Sequence, residues 1–127
     1  MTVAVVFFFN VKKGGIRMNP IFEIRRNYLI ITVEGELDHY MADRIRLKSD
    51  TYLEGTRIKN VIFDFRHTTF MDSSGIGVIM GRYKQVARMQ GKLYGVHMSD
   101  PIKRIVLISG LHKILLERSS VEEALND

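Results

Sequence analysis

The run Val61-Ile62-Phe63-Asp64-Phe65 most constrains what this chain can fold into. Its side chains are nearly all apolar and do not alternate with polar ones. A strand of that kind is buried on both faces, which places it in the middle of a sheet covered on two sides. Helical patterns flank it. Upstream, Asp38 stands as an N-cap before a helix running to about Leu53, with Met41, Ala42, Ile45 and Tyr52 on its inner face and Gly55 as its stop. Downstream, a polar loop from Arg66 to Asp72 leads into a helix over about Ser74 to Gln90. There Ile76, Ile79, Met80, Tyr83, Val86 and Ala87 recur at the spacing of one helical face.

The remaining segments continue the alternation. Ile21 to Ile24 and Tyr28 to Val33 read as a hairpin turned by Arg25-Arg26-Asn27, and Gly35-Glu36-Leu37-Asp38 breaks its second strand. Leu93 to Met98 is a strand. Asp100-Pro101 starts a helix as cap and first helical residue, Ile102, Ile105 and Val106 form its apolar face, and Gly110 ends it. Ile114 to Leu116 is a last strand, and Ser119-Ser120-Val121-Glu122-Glu123 opens a final helix. The order β, β, α, β, α, β, α, β, α predicts an α/β fold. Its central sheet is mostly parallel, with an antiparallel N-terminal hairpin and about four flanking helices. At 127 residues, 46% of them hydrophobic, the chain is the size of one domain with one core.

Residues 1–17 stand apart from this pattern. Val3 to Phe9 is a seven-residue apolar run, too short for a bilayer, which takes roughly 20 residues. It lacks the basic start and small-residue cleavage site of a signal peptide. Three readings remain: a segment outside the main fold, as from an over-long start before Met18; an added edge strand; or a membrane-surface anchor. The expected division is an extension over 1–17 and the domain over 18–127. Of the net charge of +5, Lys12, Lys13 and Arg17 supply +3, which leaves +2 on the rest. That body has no dense basic stripe, so no direct nucleic-acid partner is expected, and no membrane one. With no cysteine there is no disulfide or thiolate chemistry, and a cytoplasmic setting is expected.

The segment Met71-Asp72-Ser73-Ser74-Gly75-Ile76-Gly77 departs from a plain α/β domain. It lies where a strand gives way to a helix N-terminus, where ligand sites of such sheets gather and where free N–H groups favour negative charge. Capping accounts for one of its polar residues at about 1 kcal/mol. It does not account for Gly75, Gly77 and Gly81, since glycine inside a helix costs about 0.8–1.0 kcal/mol against alanine. Gly77 and Gly81 sit one turn apart on a face that continues through Gln85 and Arg88. Two readings of that face stand: close approach by a partner's backbone, or close approach of the helix to its own sheet. A phosphate on Ser73 would add about −1.5 to −2 charges at a place the fold tolerates, and so would act on a docked partner.

Catalytic readings find little support. A nucleophile elbow needs Gly-x-Ser-x-Gly, and Met71 stands where the first glycine belongs relative to Ser73. His39, His67, His97 and His112 are scattered, with neither a partner role beside Ser73 nor a metal-ligand spacing. Gly75-x-Gly77-x-x-x-Gly81 resembles a dinucleotide fingerprint but is wrong by one residue. No enzyme activity, cofactor or metal is expected.

The stretch Phe70-Met71-Asp72-Ser73-Ser74-Gly75-Ile76-Gly77-Val78-Ile79-Met80-Gly81-Arg82-Tyr83-Lys84-Gln85 resembles the signature of the anti-sigma factor antagonists of the STAS domain family, most of all its sporulation anti-sigma-F members. Gly35-Glu36-Leu37-Asp38-His39, Ser99 to Arg104 and Ser109-Gly110-Leu111 resemble further parts of that pattern, which spans about 18 to 125 and has no counterpart for residues 1–17. The resemblance implies a STAS-like fold and a partner switch. The unmodified protein binds an anti-sigma factor that is also a serine kinase, and the sigma factor is released. The kinase phosphorylates Ser73 with ATP, and a PP2C-type phosphatase reverses it. Asp38 matches a partner-contacting position, and Asp72, Ser73, Ser74, Gly75, Gly77 and Gly81 join it as the expected docking set. A STAS scaffold or stress-signalling module with a different kinase partner is the alternative.

Overall fold

The computed structural model describes the backbone of residues 3–6, 9–12 and 15–18 and all atoms of residues 19–55 and 57–127. Its centre is the strand expected from the apolar run, β7 (Asn60–Asp64), with Val61, Ile62 and Phe63 fully buried. Parallel neighbours lie on either side of it: β5 (Tyr28–Thr32) and β9 (Leu93–Val96). β10 (Leu116–Arg118) pairs parallel to β9, and β4 (Ile21–Arg25) pairs antiparallel to β5 through the turn at Arg26-Asn27. At the far edge β1 (Val3–Val6) lies antiparallel to β4, so this part of the N-terminal apolar run takes the edge-strand reading. Phe7 and Phe8 of that run lie outside the described residues. β2 (Phe9–Lys12) and β3 (Gly15–Met18) form a two-stranded hairpin of their own.

The strands bury both sides of the sheet. On one side Leu29, Ile31, Val61, Phe63 and Leu93 join the large core. Three helices contribute to that core: α1 (His39–Gly55), α2 (Ser73–Arg88) and α3 (Asp100–Ser109). On the other side Tyr28, Ile30, Ile62, Tyr94 and Val96 pack under Ala124 and Leu125 of α4 (Val121–Leu125). Each such buried apolar side chain stabilises the fold by about 1.5–3 kcal/mol. The architecture is therefore the expected α/β one: among the described residues, a mostly parallel sheet, an antiparallel N-terminal hairpin and four helices.

Five local expectations are corrected. The segment read as loop 66–72 contains β8 (Thr68–Met71), and the segment read as a strand break contains β6 (Gly35–Leu37). These two short strands pair in parallel, aligning Leu37 with Met71, and Thr68 Oγ1 donates to the Val33 carbonyl at 2.9 Å. The cap of α3 is Ser99, whose Oγ accepts from the Ile102 N–H, so Asp100 is already helical. The last strand begins two residues late, because a 3₁₀ turn over Leu111–Lys113 delivers Leu111 and Leu115 into the core. Finally, the inner face of α2 is Gly75, Val78, Ile79, Arg82 and Val86, a rotation that leaves Met80 and Tyr83 exposed.

Candidate functional site

The β6–β8 pair aims two helices in the same direction. Each short strand is followed directly by an aspartate, and each aspartate caps the helix that comes next. Asp38 Oδ1 accepts from the Met41 N–H at 3.0 Å at the start of α1. Asp72 Oδ1 accepts from the Ser74 and Gly75 N–H groups at 2.8 and 3.2 Å at the start of α2. The Asp72 N–H donates to the Leu37 carbonyl at 3.3 Å, which ties the two starts together. α1 and α2 then run side by side in the same sense, with residues 39–46 facing 74–82.

Within this frame the four residues Asp72-Ser73-Ser74-Gly75 have separate places. Asp72 is the cap. Ser73 is the first residue of α2 and is exposed. Ser74 is half-buried at the mouth of a groove between the two helices. Gly75 is buried against the β6 end. A Cβ there would stand 2.6 Å from the Leu37 carbonyl oxygen and 2.7 Å from Leu37 Cγ. Gly75 thus lets α2 start close to β6, and does so from inside the fold.

Gly77 and Gly81 are different. A Cβ at either meets nothing within 4 Å, so neither glycine brings the helix to its own sheet. They line the groove instead, with His39, Asp43 and Arg46 on the α1 side and a volume of about 270 Å³. This contrast gives a stability prediction. Gly75→Ala is expected to lower stability by about 1–3 kcal/mol through overpacking. Gly77→Ala is expected to raise it by about 0.8–1.0 kcal/mol through helix propensity. Chemical denaturation of the two variants beside wild type checks both signs.

The far end of the groove is closed by a side chain that sequence reasoning passed over. The Arg82 guanidinium is buried, with 6% of its side chain exposed. Its Nη1 donates to the Arg46 carbonyl, to Ser49 Oγ and to Asp50 Oδ1, all on α1. Gln85, expected on the open face, instead donates to the same Asp50 oxygen at 2.7 Å. Burial lowers the Arg82 pKa, and Asp50 works against that shift. The only sequence signal for Arg82 is that it falls four residues from both Val78 and Val86, and the rival stripe through Met80 and Tyr83 is as well supported by spacing.

The histidines take other roles. His39 lies 3.4 Å from Asp43 one turn along α1, and His97 Nε2 lies 2.7 Å from an Arg66 nitrogen. No histidine is hydrogen-bonded to Ser73 or Ser74 among the described residues. No helix among the described residues is long and apolar enough to cross a membrane.

The model of the STAS domain family matches residues 19–124, a span that takes in both capped helix starts and the groove. The chain belongs to the STAS domain family. Among relatives of this STAS chain, the anti-sigma F factor antagonist of Paenibacillus polymyxa is 36% identical over 93 residues, covering 73% of this chain and 80% of the relative. The anti-sigma-B factor antagonist of Listeria monocytogenes is 32% identical over 114 residues, covering 86% and 96%. Among solved structures, the Bacillus cell-fate determinant SpoIIAA in its phosphorylated form matches with a TM-score of 0.63 and 26% identity, over 94% of this chain and 97% of that one. The STAS chain therefore groups with the anti-sigma factor antagonists, as the signature around Ser73 implied.

Proposed function

We propose that this STAS protein is an anti-sigma factor antagonist whose docking is switched by phosphorylation of Ser73. Unmodified, it binds an anti-sigma factor that is also a serine kinase, through the paired helix starts and the α1–α2 groove, and the sigma factor is released. Phosphorylation of Ser73 ends the binding and a PP2C-type phosphatase restores it. The protein itself is a binding partner and substrate, with no catalytic role. Residues 18–127 form the working domain, and residues 1–17 are an extension to it.

The observation that carries this reading is the placement of Ser73. It is exposed on the first turn of α2, just after the capping Asp72 and next in sequence to Ser74, which lines the groove. Asp72 already occupies the Ser74 and Gly75 N–H groups. A phosphate on Ser73 is therefore directed outward, toward whatever docks, and leaves the helix cap in place. The relatives named as antagonists, and the solved phosphorylated SpoIIAA, support the same reading. Ser74 is the less suitable acceptor because it is half-buried and turned into the groove.

Incubation with purified anti-sigma factor kinases and ATP, followed by intact mass and peptide mapping, tests the assignment. The expected product carries one phosphate, on Ser73. Modification confined to Ser74 contradicts it.

A further inference from the structure

α1 and α2 are fastened to each other at two levels. At the top the β6–β8 pairing aligns Leu37 with Met71, and the Asp72 N–H reaches the Leu37 carbonyl. At the bottom Arg82 and Gln85 grip Arg46, Ser49 and Asp50. Helical rise places Arg82 about 14 Å down α2 from Ser73, and Asp50 about 18 Å down α1 from Asp38. Between the two fastenings lies the groove, where Gly77 and Gly81 supply no side chain to hold the helices at a set distance.

A buried charged cluster is weak evidence for stability. Replacing one with apolar side chains of similar volume is often neutral. Asp50 is 41% exposed and reaches solvent without Arg82. The guanidinium differs from an apolar side chain in directional reach: a single nitrogen is shared among a backbone carbonyl, a hydroxyl and a carboxylate on two successive turns of α1. That arrangement fixes both the spacing and the axial register of the two helices. A docking site held in its bound geometry before binding loses less free energy to ordering when the partner arrives.

We propose that Arg82 is a positioning residue that sets the width of the α1–α2 groove, and with it the affinity for the anti-sigma partner. The proposal rests on the docking reading given above. Arg82 does not touch the partner; it acts through α1.

The test is calorimetry of an anti-sigma kinase with ADP, against wild type, Arg82→Met, Arg82→Lys and Asp50→Asn, with circular dichroism to establish folding at the temperature used. Arg82→Met is expected to weaken docking tenfold or more while folded. The KM for the protein as phosphoryl acceptor should rise by a similar factor, with kcat unchanged. Arg82→Lys, which keeps the charge and a donor nitrogen but changes its reach, is expected to fall between. Folded Arg82→Met that docks within twofold of wild type overturns the proposal and leaves Arg82 a purely structural residue. If Arg82→Met does not fold, Asp50→Asn decides: a loss of threefold or more supports the clamp, and wild-type affinity overturns it. Failure of wild type itself to dock is a separate outcome, which overturns the docking reading and this one with it.

Discussion

Ser73→Asp is expected to weaken docking on the anti-sigma kinase by a hundredfold or more, with the fold unchanged. A kinase that phosphorylates Ser73 must bring the phosphates of its nucleotide against that hydroxyl. An anion at residue 73 then faces those phosphates across a surface from which water has been removed. Like charges so placed cost several kcal/mol, and about 2.8 kcal/mol is already a hundredfold. The true phosphate carries about −1.5 to −2 charges and is expected to act more strongly than the aspartate. Neither change should disturb α2, because an anion in the first turn is favourable there and Asp72 keeps its two bonds to the helix N–H groups. Ser73→Ala is expected to dock as wild type and to take no phosphate. Calorimetry with ADP present, beside thermal melts of each variant, separates an effect on binding from one on folding. Equal affinities for wild type and Ser73→Asp count against the switch.

Gly77→Leu and Gly81→Leu are expected to cost docking between about fivefold and about 150-fold, which is the usual 1–3 kcal/mol of overpacking applied to an interface. The prediction depends on where the space lies. Both glycines open on the groove and not on the sheet, since a Cβ at either meets nothing within 4 Å. The isolated protein should therefore accept leucine at residue 77 or 81 and melt no earlier than wild type. Docked, the same side chain occupies room the partner needs. Loss of stability in parallel with loss of binding would return these glycines to an internal packing role.

The parts of the fold legible in the sequence are those a single element decides. Val61 to Phe65 announces a two-faced strand by composition alone, and Asp38 caps α1 where its residue type says it should. The illegible parts depend on contacts between distant residues. β6 and β8 are three and four residues long and become strands only by pairing with each other, Leu37 to Met71. The rotation of α2 could not be read from periodicity, because Met80 and Tyr83 complete an apolar stripe as well as Val78 does. Arg82 decides it by finding Ser49 and Asp50, more than thirty residues away in sequence. Ser99 and Asp100 are both good caps, one residue apart, and only the backbone geometry chooses Ser99.

The site follows the same division. Its centre at Asp72 to Gly75 was visible as residue types no single helix cap requires. In the sequence only the family resemblance singles out Ser73, and the structure adds its exposure beside a half-buried Ser74. The assignment of Gly75 to internal packing and of Gly77 and Gly81 to the groove required coordinates, since all three look alike in sequence.

The proposed switch is tested by displacement of a sigma factor from its complex with the anti-sigma kinase, read by size-exclusion chromatography as this protein is titrated in. Stoichiometric release by the unmodified chain is expected, and none by the same chain phosphorylated on Ser73 at equal concentration. Release by both forms alike, or by neither, would contradict it.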